Sequence, residues 1–158
     1  MTSAITREVL QRLGSRGETL ATAESLTGGL IGSMITEVAG ASANYVGGAI
    51  TYATGLKSVF AGVPANVLDA DGPVAESTAR AMASGIAVRC GAHWGLAVTG
   101  VAGPEPQDGH PVGEVHLAVA CAATGEVRHR RLELVGDRGT IRGQSAHSAL
   151  QLLADALS

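Results

Sequence analysis

The chain has 158 residues, 46% of them apolar, which fills one core well and leaves no room for two, so a single domain over residues 1–158 is expected. Its net charge is −3, it has no block of like charges, and aromatics make up only 3% of it. That excludes the basic, base-stacking groove that nucleic acid requires. No apolar run reaches the roughly 18 residues of a membrane span and the first residues lack a signal-peptide core, so a cytoplasmic protein without a membrane partner is expected.

In chain order, "SAITREVLQRLGS" (3–15) sets Ile5, Val9, Leu10 and Leu13 at helical spacing behind a Ser cap. "ETLATAE" reads as a short strand. "LTGGLIGSMITEVAG" reads as a helix from Thr27, with Thr27 as cap and Gly40 as stop. "YVGGAITYA" is β-rich, "LKSVFA" begins a short helix, and "PANVLDADG" makes one helical turn behind Pro64. "VAESTARAMASGIAVRC" is the clearest helix. "HWGLAVTG" is a buried strand that ends in a Gly- and Pro-rich loop over 100–112. "GEVHLAVACAA" and "VRHRRLELV" read as a hairpin around "TGE". "DRGTIRGQSAHSALQLLADALS" closes the chain as a capped helix. Helices interspersed with strands, with a hairpin late in the chain, imply an α/β fold: a single-domain α/β/α layered sandwich on a mixed sheet.

Three Gly-bearing loops follow predicted strands, where open α/β sheets bind ligands. In "AESLTGGL", Ser25 and Thr27 precede Gly28 and Gly29 at a helix start. That is either an anion site made of free N–H groups or an ordinary cap with glycines for close packing. "VTGVAGPEPQDGHPVG" offers Thr99, Gly100 and Gly103 in a long loop. In "GDRGTIR", Asp137 caps a helix and Arg138 and Arg142 share one face, suited to a phosphate or to surface ion pairs. The five histidines have no metal-ligand spacing, so no metal is expected. Cys90 and Cys121 each lie in an apolar run and read as buried free thiols.

Lys57 is the only lysine beside ten arginines. Arginine stays protonated and cannot serve as a base, whereas a buried lysine can lose its proton near neutrality. A neutral lysine needs a nucleophile to activate, and Ser42 in "AGASANY" stands ten positions before Tyr52. If the chain reverses between them, Ser42 is the nucleophile, Lys57 the base and the Tyr52 hydroxyl a relay.

The segments "TAESLTGG", "AGASANYVGGAITYATGLK", "GPVAEST", "VTGVAGP", "PVGEV" and "GDRGTIR" together resemble the CinA C-terminal domain family. Stand-alone members of that family act as nicotinamide mononucleotide amidohydrolases. The resemblance implies a Ser–Lys dyad assisted by a Tyr, carried over onto Ser42, Lys57 and Tyr52, acting through an acyl-enzyme with no cofactor. It also implies a small-molecule nucleotide substrate held by Ser25, Thr27, Gly28, Gly29, Thr99, Gly100, Gly103, Arg138 and Arg142. Leu26 departs from the Cys of many relatives and Ala41 from a second Ser, and the loop "PEPQDGH" differs from their acidic Gly-rich insert. A homo-oligomer is expected. The alternative is a non-catalytic module that binds a nucleotide or a partner in a competence or DNA-damage setting.

Overall fold

The computed structural model describes residues 3–158. The helices are α1 (Ala4–Arg16), α2 (Leu30–Thr36), α3 (Thr54–Ala61), α4 (Ala65–Asp71), α5 (Glu76–Cys90) and α6 (Arg138–Ala156). The strands are β1 (Leu20–Glu24), β2 (Tyr45–Ile50), β3 (Trp94–Gly100), β4 (Glu114–Cys121) and β5 (Val127–Glu133). They form one mixed sheet in the order β2-β1-β3-β4-β5. β1 runs parallel to β2 and to β3, while β3, β4 and β5 are antiparallel neighbours. The expected layered α/β domain is therefore present, with the predicted helices and strands in the expected order; α2, however, starts at Leu30 behind Gly29 and ends at Thr36, so Thr27 is not its cap and Gly40 not its stop. One short 3₁₀ turn, Ala41–Ala43, was not foreseen, and "PANVLDADG" forms a longer helix than one turn.

Local chemistry explains the element ends. Ser3 Oγ accepts from Thr6 N to start α1, Asp137 Oδ1 accepts from Thr140 N to start α6, and Gly17 turns left-handed to end α1. The central strands β1 and β3 are buried because both of their faces are covered, and apart from Glu24 at the end of β1 most of their side chains are apolar or small. Edge strand β2 alternates exposed and half-buried residues instead. One face of the sheet packs on α1, α2 and α6 through Leu13, Ile31, Leu96, Leu117 and Leu150. The other face is built mainly from alanines around Met82 and Ile86 of α5.

Small residues let α5 approach unusually closely. A Cβ on Gly95 would lie 1.9 Å from the Ala83 carbonyl oxygen, and one on Gly85 only 1.6 Å from that of Ala61. The second contact seats the end of α3 against α5, which holds Lys57 over the C-terminal ends of the parallel strands. Cys121 is partly buried, but Cys90, the last residue of α5, is exposed, contrary to the reading of its apolar run. No helix of the described residues is long and apolar enough to cross a membrane.

Candidate functional site

At the C-terminal ends of β1, β2 and β3 lies a cavity of about 280 Å³. Ser25 and Lys57 form its floor, and Tyr52, Ala53 and Thr54 line one side. Pro73 and Val74 form another wall, residues 99–103 the back, and Glu105, Gln107 and Arg138 the rim.

Lys57 is only 1% exposed. Its Nζ lies 2.7 Å from the Thr51 carbonyl oxygen, 3.3 Å from the Tyr52 carbonyl oxygen and 3.1 Å from Ser25 Oγ. No carboxylate joins this set. Burial alone lowers its pKa from 10.5 to about 8. The neighbours match a neutral amine well. As an ammonium, Nζ donates to the two carbonyls and to Ser25 Oγ; with one proton lost, two N–H groups suffice for the carbonyls and the lone pair can accept from the serine hydroxyl. Ser25 follows β1 directly and is itself buried. Its N–H donates to Val98 O, locking it to the neighbouring strand.

The serine expected opposite Lys57 is therefore displaced by another. Ser42 is exposed in the 3₁₀ turn before β2, whereas Lys57 follows the far end of that strand. The strand has six residues, about 20 Å at 3.3 Å per residue, so the two side chains sit at opposite ends of the sheet. The expected chain reversal between Ser42 and Tyr52 is absent, and a continuous strand separates them. Ser25, expected only as a substrate-binding residue, is the serine beside Lys57. The signal that points to it is its place at a strand-to-helix junction on the ligand-binding edge of the sheet.

The α2 start is not an open anion site. Glu24 reaches over it, accepting from Thr27 Oγ1 at 2.6 Å, Ile31 N at 2.9 Å and Gly32 N at 3.0 Å. A buried carboxylate already answers the positive end of the helix, so Thr27, Gly28 and Gly29 are structural here. Arg142 also turns inward, its Nε and Nη2 donating to the Leu26 and Thr27 carbonyls at 2.9 and 3.0 Å. It holds the loop that carries Ser25 and does not line the cavity. Arg138 does line it, and donates to Gly103 O and to Tyr52 Oη at 2.6 and 3.1 Å. The Tyr52 hydroxyl is thus engaged at the rim, and only the Tyr52 carbonyl touches Lys57. Thr99, Gly100 and Gly103 line the cavity as expected, though Thr99 Oγ1 is bound to Pro73 O. Pro73, Val74, Glu105 and Gln107 were not foreseen.

Fold and site together define a class: a three-layer α/β domain whose mixed sheet presents a buried lysine and a serine at the carboxyl ends of its parallel strands. The CinA C-terminal domain model matches residues 2–157, and the chain belongs to that family. A CinA-like protein of Frankia casuarinae is 48% identical over 145 residues, covering 92% of this chain and 33% of that protein. The chain thus spans about a third of the length of such curated relatives. A CinA superfamily protein of Klebsiella pneumoniae has a crystal structure that superposes with a TM-score of 0.92 at 32% identity, covering 97% of this chain and 95% of that one. The competence/damage-inducible protein of Agrobacterium tumefaciens gives 0.88 at 36% identity, covering 99% and 98%.

Proposed function

We propose that the protein is an amidohydrolase that converts nicotinamide mononucleotide to nicotinic acid mononucleotide and ammonia, with Ser25 as nucleophile and Lys57 as its base. One observation carries the reaction type: a fully buried amine with no counter-charge, whose remaining neighbour is a serine hydroxyl on the floor of a pocket. The resemblance to amidohydrolases of the same family supports the substrate.

In this reading neutral Lys57 takes the Ser25 proton as Oγ attacks the carboxamide carbon. The ammonium so formed protonates the departing nitrogen, and ammonia leaves behind an acyl ester on Ser25. Water then gives its proton to Lys57 and attacks the ester, releasing the carboxylate and restoring the serine. The developing oxyanion needs N–H donors. Residues of β3 alternate sides, and Val98 O faces Ser25, so the N–H of Gly100 faces the same way, just past the end of β1. The Leu26 N–H, directly after the nucleophile, is the second donor. Losing one such donor costs about 10²–10³ in rate. The phosphate docks at the rim, where Arg138 is, among the described residues, the only lining cation besides Lys57, next to the start of α3, which has no side-chain cap.

The test is release of ammonia from nicotinamide mononucleotide by the purified protein, with Ser25→Ala, Lys57→Met and Ser42→Ala compared. Loss in the first two and full activity in the third is expected. Saturable binding without turnover in the wild type would favour the non-catalytic module instead. Exposed Ile50 on the edge strand and exposed Val59 and Phe60 on α3 support a homo-oligomer, which light scattering measures.

A further inference from the structure

A second cluster of buried titratable groups lies where β4 leaves the pocket loop. Glu114 is 6% and His116 5% exposed. Glu114 Oε2 receives both His110 Nδ1 and His116 Nε2 at 2.9 Å, and Arg131 Nη2 is 3.4 Å from Oε1. The other nitrogen of His116, Nδ1, lies 3.0 Å from His129 Nε2, and His129 Nδ1 lies 3.4 Å from Glu76 Oε1. Among the described residues no group of His, Cys, Asp or Glu is arranged to hold a metal; these donors are spent on one another. Nothing in the hydrolysis proposed above uses them.

Both ends of this chain of contacts lead to the cavity. His110 closes a bridge with Gln107, which lines the rim. Glu76 opens α5 two residues after Val74, and Pro73 is tied to Thr99 on the back wall. We infer that Glu114, with the imidazoles of His116 and His129, positions two walls of the serine–lysine pocket: the 105–110 loop through His110, and the start of α5 through Glu76, the second tie closing on uptake of one proton.

The hydrogen bonds Glu114–His116 and His116–His129 each need one ring proton, and the 3.4 Å ion pair His129–Glu76 needs a third on His129, so the imidazole pair must carry three in total for all three contacts to be made. A neutral pair carries two. Glu114 is buried and ionised: burial would raise its pKa, but the bonds from His116 and His110 outweigh that and hold it low. Leaving such a carboxylate unpaired is costly, so the two protons stay on the first two links. The Glu76 end, longest and most exposed, then meets a bare nitrogen lone pair. A third proton makes His129 a cation and closes that end. Burial, opposed by Glu76 and reinforced by His116, Arg80 and Arg131, moves this uptake below the ordinary imidazole range. Arg80, bound to Glu76 at 2.7 Å, competes for the same carboxylate.

The test needs no substrate, so its outcome is independent of the hydrolysis reading. Amide exchange, corrected for its intrinsic pH dependence, is followed at Ala79, whose N–H makes the first bond of α5 to Ala75 O, and at Gln107 and His110. Protection at Ala79 is expected to rise severalfold as pH falls below about 6.5, and to be flat in Glu76→Gln, whose amide can donate to a neutral ring. His110→Ala, at a partly exposed site, is expected to lower protection at Gln107 about tenfold with global stability little changed. Ring-nitrogen spectra are expected to show a single proton gained by the pair over that range. A flat profile at Ala79 in the wild type, two independent full titrations of His116 and His129, or an unaffected loop in His110→Ala would each overturn the inference.

Discussion

Lys57 and Glu114 are both buried ionisable groups bordering the same end of the sheet, and their surroundings are opposite. Glu114 meets two imidazoles and a guanidinium, so its charge is compensated and its pKa falls. Lys57 meets two carbonyls and a hydroxyl, so its charge is uncompensated and its pKa falls to about 8. For an acid that direction stabilises the charge, and for a base it removes it. Compensated burial organises the fold, whereas uncompensated burial stores reactivity at the cost of stability.

The largest effect expected separates the two groups by activity. Ser25→Ala and Lys57→Met should each lower kcat by about 10³-fold or more, measured as ammonia release, while Glu114→Gln, which touches neither member of the pair and acts only through the pocket walls, should lower it far less. Stability should run the other way. Between pH 8 and 10.5 the unfolded chain binds more protons at Lys57 than the folded one, so stability rises with pH across that window. Below it the full cost of burying the amine, about 3 kcal/mol, is present. Lys57→Met should therefore be more stable than wild type by up to about that amount in urea unfolding at pH 7, and should lose the alkaline rise.

Glu114→Gln should be less stable by about 2–3 kcal/mol, since it strips charge-assisted bonds from a buried cluster. Its sign with pH also differs from that of Lys57. A carboxylate with a lowered pKa contributes stability above its unfolded value and loses it as pH falls through the folded one. Acid unfolding of wild type should thus carry a component that the variant lacks.

The contrast also marks what the sequence could reveal. Periodic apolar residues such as Ile5, Val9 and Leu13 announce helices, and β-rich runs between glycines announce strands, because local patterning decides them. Lys57 stood out by composition alone. Its partner did not, because pairing Ser25 with a residue 32 positions later depends on the parallel β1–β2 register, which spacing along the chain does not encode. Glu24 misled for a related reason. A carboxylate on the last residue of a strand gives no local sign that it will fold over the next helix start, yet three donors converge on it. The His116–His129 contact needs the β4–β5 register in the same way.

With Lys57 titrating near 8, the free-enzyme rate constant kcat/KM should rise about tenfold per pH unit below that value and level off above it, since only the neutral amine accepts the serine proton. A profile flat between pH 6 and 8 would mean that Lys57 is already neutral there or takes no part.

The smallest effect expected concerns Tyr52. If its hydroxyl relayed the serine proton, Tyr52→Phe would lower kcat by orders of magnitude. The hydroxyl instead accepts from Arg138 at the rim, on a residue that is 60% exposed, while Lys57 uses the Tyr52 main-chain carbonyl, which phenylalanine retains. Removing one such bond is worth about 1 kcal/mol. That loosens Arg138 and, with it, the rim at which the substrate phosphate is proposed to dock. KM for nicotinamide mononucleotide should rise about fivefold with kcat nearly unchanged, and the pH profile should keep its rise below about 8 because the environment of Lys57 is untouched.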